Sequence, residues 1–162
     1  MEALPLAITT NMKVLLAIDD SKSSEATTRA IVKQFRAEDT EVCVLHALQW
    51  HRAIPSSFAF ARGGTYGVQL CSLMKQAREQ AAVLVASVAR VLRASGFRAS
   101  STVVEGNPLL TILGRAAEWR PDLIVLGSHP RSGLDRVLFE SVAEKVAHQA
   151  ACSGEIVRPH SD

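Results

Sequence analysis

The run KVLLAID, Lys13 to Asp19, constrains this chain more than any other stretch. It is apolar at five consecutive positions and ends in charge. It is too short for a buried helix and has no polar face, so it reads as a strand covered on both sides. Such a strand lies mid-sheet, and a sheet with two apolar faces needs helices on each. The remaining sequence supplies them in alternation. DSKSSEATTRAIVKQF sets Ala26, Ala30, Ile31, Gln34 and Phe35 at helical spacing behind a cap at Ser21 or Ser23. EVCVLHAL, RASSTVVEG, DLIVLG and a weaker SGEIVRP supply four further strands. A long helix is expected over 68–95, its stripe from Leu70 to Leu92 read as core and its end closed by Gly96. NPLLTILGRAAEW is a helix with Asn107 as cap and Pro108 in its first turn. The S-x-x-E box Ser141–Glu144 predicts a last helix from near Val142 to about Ala150, with Leu134–Phe139 a separate turn. Gln49–Gly67, with Pro55 and three glycines, reads as a long loop containing at most one helical turn. Its aromatics Trp50, Phe58, Phe60 and Tyr66 form either a lid or the loop's own small core.

Strands joined by helical crossovers make an α/β fold, a doubly wound parallel sheet with helices on both faces. Ligands in such sheets bind beyond the carboxyl ends of the strands, where the strand order reverses. That rule selects Asp19 and Asp20 after the first strand, Ala47 and the long loop after the second, and Gly127 onward after the fourth. At 162 residues the chain fits one domain, read as 13–160. Residues 1–12 are read either as a disordered extension or as sequence upstream of the natural start. The net charge of +2 comes from interleaved acids and bases without a Lys/Arg cluster, which argues against a nucleic-acid partner. No stretch has the pattern of a leader or a membrane span. Cys43, Cys71 and Cys152 suggest neither a disulfide framework nor a zinc site, and a reducing cytoplasm is expected.

The loop GSHPRSG after the fourth strand is the most informative feature for function. Backbone N–H groups in a glycine loop leading to a helix N-terminus make an anion site by geometry. Gly127, Ser128, His129, Arg131, Gly133, Ser141 and Val142 are the candidates to line it. The alternative is that the glycines serve only the turn. No P-loop, nucleophile elbow or H-E-x-x-H helix is present, so the common hydrolase routes are closed and no catalytic residue or metal ligand set is assigned. Cys43 and His46, three apart on a strand, point to opposite faces. His46 reads as a packed strand-end histidine, and Cys152 as an inert, buried thiol.

KVLLAIDDS, LHA, VVEGNP, PDLIVLGSH and SVAEKVAHQAAC occur in an order and spacing that resemble the universal stress protein family from Lys13 to Arg158. The resemblance implies a five-stranded parallel, Rossmann-like sheet in order 3-2-1-4-5, a homodimer paired through the C-terminal strand, a stress-response role and, in some members, bound ATP. It also implies that Asp19 faces the adenosine part and that the backbone at Ala47 touches adenine. The family pattern G-x2-G-x9-G-[S/T] is kept at Gly127 and Ser141 but broken by Pro130 and Glu140. Proline offers no N–H and cannot take positive φ. A carboxylate ~4 Å from a phosphate repels it by about 4 kcal/mol at an effective dielectric of 20. Arg131 and Arg136 could compensate or could be solvated loop charges. ATP binding is therefore expected to be weak or absent, with AMP or adenosine still accommodated and magnesium present only with nucleotide. The chain then reads as a sensor or scaffold. The alternative is an ATP switch that draws new donors from Ser128, Arg131, Ser132 and Gly133.

Overall fold

The computed structural model describes residues 11–19, 21–50, 64–127 and 135–158. Within them the order is β1 (Met12–Ile18), α1 (Ser21–Gln34), β2 (Thr40–Leu48), α2 (Gly64–Ala94), β3 (Arg98–Glu105), α3 (Pro108–Trp119), β4 (Leu123–Gly127), α4 (Asp135–Gln149) and β5 (Ser153–Val157). The strands form one sheet in order β3-β2-β1-β4-β5, and every pairing is parallel. This is the doubly wound architecture expected. β1, central as its apolar run required, has its five residues from Val14 to Ile18 buried.

Alternation along the strands divides the core in two. Val14, Leu16, Val42, Val44 and Val125 face α1 and α2, where Ile31, Val85, Val88 and Leu92 meet them. Leu15, Ala17, Cys43, Leu45 and Ile124 face α3 and α4, against Ile112, Ala143 and Val146. Each face excludes water only because both helical layers are present. The starts of β1 and β4 are held together by a reciprocal pair. The Lys13 N–H donates to Asp122 Oδ2 and the Asp122 N–H to the Lys13 carbonyl, both at 2.8 Å. The Lys13 ammonium lies 5.2 Å from the Trp119 ring centroid.

Three elements differ from their sequence reading. α1 buries Ser24, Thr27, Thr28 and Ile31, while Gln34 is exposed and donates to Glu155 Oε1 at 3.0 Å. The threonines can be interior because both hydroxyls donate to the Ser24 carbonyl one turn back. α2 begins at Gly64 and not at Val68, so it absorbs the end of the expected loop. Only its second half is core, from Ala81 onward; Leu70, Leu73, Met74 and Ala77 are half-buried, and Val91 is 53% exposed. α4 is continuous from Asp135, so the S-x-x-E box lies inside a helix and does not start one. DRVLFE contains no glycine or proline, and its leading aspartate suits a helix N-terminus. The weaker strand expected in SGEIVRP is present as β5: Gly154 packs against Ala147, and Glu155 accepts from Gln34.

Two ends are as expected. Asn107 Oδ1 accepts from the Leu110 N–H at 3.3 Å with Pro108 in the first turn of α3. Gly96, at φ +92°, closes α2: its N–H bonds the Arg93 carbonyl and the Phe97 N–H bonds the Leu92 carbonyl.

Candidate functional site

The rule of the reversing strand order places a ligand where β1 parts from β4. A cavity of about 380 Å³ lies there, walled by the carboxyl ends of β1, β2 and β4, by the first turns of α3 and by α4. Ala17, Leu45, Ile112, Leu126 and Ala143 give it apolar sides. The same residues continue into the core beneath α3 and α4. Its polar side chains among the described residues are Asp19, His46 and Gln49. No lysine or arginine is among these lining residues.

Of the residues expected at the site, Asp19, Ala47, Gly127 and Val142 all line this cavity. Asp19 and Ala47 come together because β1 and β2 run in register, Ile18 beside His46. Ser128, His129, Arg131 and Gly133 lie outside the described residues, as do Asp20, Pro130, Phe58 and Phe60. Ser141 is within α4, and the continuity of that helix changes what Ser141 and Val142 can offer. Only the first four N–H groups of a helix lack an internal acceptor. With α4 starting at Asp135, the amides of Ser141 and Val142 fall beyond that set. Val142 therefore contributes a half-buried side chain to the cavity wall and no free amide donor.

His46 is half-buried at the end of β2, with its Nδ1 2.9 Å from the Ile18 carbonyl oxygen. A carbonyl can only accept, so Nδ1 carries the proton and donates it, which ties the tips of β1 and β2. Cys43 points to the other face, as expected, and accepts a 3.7 Å contact from Arg115 Nη2. No group of three or more His, Cys, Asp or Glu suited to a metal occurs among the described residues. Cys152 is partly buried, and that burial, followed by the charge of Asp122, pushes its thiol up.

Sequence reasoning selects the loop that begins at Gln49 without singling out that residue, and it misses a cluster beside it. Trp50 donates its indole N–H to Glu105 Oε2 at 3.1 Å, and Arg78 Nε lies 2.5 Å from Glu105 Oε1. The Arg78 hydrogen bond, ahead of its charge, holds the Glu105 carboxyl below the usual carboxylate range. The three residues belong to separate segments, and no spacing in the chain announces them.

A family model, that of the universal stress protein family, matches residues 10–158. The universal stress protein YxiE of Bacillus subtilis is 27% identical over 148 residues, which cover 90% of this chain and 98% of the relative. Among solved structures, the universal stress protein UspA from Lactobacillus plantarum superimposes with a TM-score of 0.69 at 18% identity, covering 91% of this chain and 98% of that one. A universal stress protein family protein from Arabidopsis thaliana, solved with AMP bound, gives a TM-score of 0.61 at 17% identity, with 93% and 94% covered.

Proposed function

The chain belongs to the universal stress protein family, and from that premise we propose that it is a non-catalytic stress-response module whose cavity takes the adenosine part of an adenine nucleotide and grips a polyphosphate tail weakly. The observation that carries the reading is the cavity's chemistry. Apolar walls suit a flat heterocycle, while Asp19 accepts hydrogen bonds and suits ribose hydroxyls. The described lining adds no cation for phosphate. The two helical amides at Ser141 and Val142 add no donors either. Pro130 removes one more N–H from the connection after Gly127, where a tail would run. The Arabidopsis protein of the same fold was solved with a monophosphate. Signalling would then follow occupancy and assembly, with a homodimer formed through β5. Among the described residues that strand is paired on one side only, by β4, and its Ile156 is exposed.

Calorimetry with AMP, and with ATP plus magnesium, tests the reading. It expects AMP to bind at least as tightly as ATP. ATP held tenfold or more tightly than AMP would instead select the ATP-switch reading, and heat from neither nucleotide would remove the site.

A further inference from the structure

The exit of β2 forms one wall of the cavity and is held at both ends of a short span. On one side the Leu48 carbonyl accepts from the Gly106 N–H at 3.1 Å. Gly106 is itself a fixed point: its φ is +151°, and a Cβ there would lie 3.2 Å from Thr111 Oγ1. On the other side the Trp50 indole N–H donates to one oxygen of Glu105, and Arg78 Nε donates to the other. The Arg78 guanidinium also lies 4.8 Å from the centroid of the Trp50 ring. These three contacts close a triangle. The ring is fixed through its edge and its face, and both carboxylate oxygens are engaged. Gln49, between Leu48 and Trp50, lines the cavity.

We propose that Trp50, Glu105 and Arg78 form a clamp that positions the Leu48–Gln49 wall of the cavity. Its consequence for ligand affinity rests on the adenosine-site reading above. An exposed ion pair alone stabilises little. The clamp acts through orientation: with the wall already in place, a ligand does not have to order it on binding. The residues are positioning residues, since none of the three is a cavity-lining side chain among those described.

The test uses the full chain carrying Trp119→Phe, which leaves Trp50 as its emitter. Glu105→Gln and Arg78→Ala are compared with Arg78→Lys, which keeps the charge but not the planar fork. Glu105→Gln and Arg78→Ala should make Trp50 more accessible to acrylamide and speed amide exchange over Leu48–Trp50. They should also weaken AMP binding by about three- to tenfold, the loss of a pre-ordered wall, with Arg78→Lys in between. A tie with only a structural role would lower the melting midpoint while leaving quenching and affinity unchanged, and that result overturns the clamp. So do parental quenching and exchange in both variants. Absence of AMP binding by the parent removes the adenosine reading alone, because quenching and exchange still decide the clamp.

Discussion

Ile112 and Ile124 offer a direct test of whether the cavity exists where the structure puts it. Both are buried against the same cluster, Ile112 at 4% and Ile124 at 0% exposure, but Ile112 borders the cavity and Ile124 does not. Changing either to alanine removes the same methyl and methylene groups, worth roughly 2.5 kcal/mol at about 0.8 kcal/mol per carbon. At Ile124, within β4, the hole has no outlet, so a cavity term adds to the transfer term and the cost should reach about 4 kcal/mol. At Ile112 the deletion only enlarges a space that already exists. There the cavity term largely drops out, and alanine's better helix propensity in α3 returns about 0.4 kcal/mol, leaving a cost near 2 kcal/mol. Urea unfolding of the two variants reads this from their midpoints at constant m, and the melting midpoints should fall by roughly 4–8 °C for Ile112→Ala and 8–16 °C for Ile124→Ala. Equal costs at the two positions would refute the reasoning, since the wall at Ile112 would then be as closely packed as the core.

Two further outcomes follow from ionisation and exposure. Glu105 has its carboxyl held below the usual range by Arg78, so its contribution to stability is present above its unfolded value and is lost as pH falls through the lowered folded value. The stability difference between the parent and Glu105→Gln should therefore be widest near neutrality and shrink on acidification, as read by urea midpoints across pH. Cys71 is exposed whereas the Cys152 thiol is pushed up by burial. Limited iodoacetamide treatment followed by peptide mass analysis should find Cys71 modified first and Cys152 later.

The sheet is legible in the sequence because β1, β2 and β4 are apolar runs that only burial on two faces explains, and the cap at Asn107 and the stop at Gly96 have unambiguous local chemistry. The inner face of α1 was not legible from hydrophobicity. Thr27 and Thr28 count as polar, yet their hydroxyls are satisfied within their own helix by the Ser24 carbonyl. The start of α4 is not legible, because Ser141 and Glu144 satisfy a capping pattern, while the six residues before Ser141 contain no glycine or proline to stop the helix that begins at Asp135. Asp19 and Ala47 were found from topology alone: whatever ends β1 and β2 must meet at the cavity. Gln49 begins the loop that the same rule selects, but the loop shows no period, so nothing in the sequence singles that residue out.

The overreach of the α2 stripe and the missed cluster have one cause. A helix of 31 residues spans about 46 Å at 1.5 Å per residue. The longest strand, β2, has 9 residues and spans about 30 Å at 3.3 Å per residue. α2 packs along strands it outruns. Its Ala81–Leu92 half fills the core, so the excess length is the Gly64–Arg78 half, where Leu70, Leu73, Met74 and Ala77 are half-buried and Val68 is exposed. That excess projects past the carboxyl edge, where Glu105 ends β3 and the chain leaves β2. Periodicity alone reads the whole stripe as core because it carries no information about how far the sheet extends. Arg78 stands one turn before Ala81, the first core residue of α2, and that turn brings it level with Glu105 and Trp50; shortening α2 by a turn before Arg78 should therefore leave both the core and the clamp intact, whereas a register shift between Arg78 and Ala81 should break the clamp.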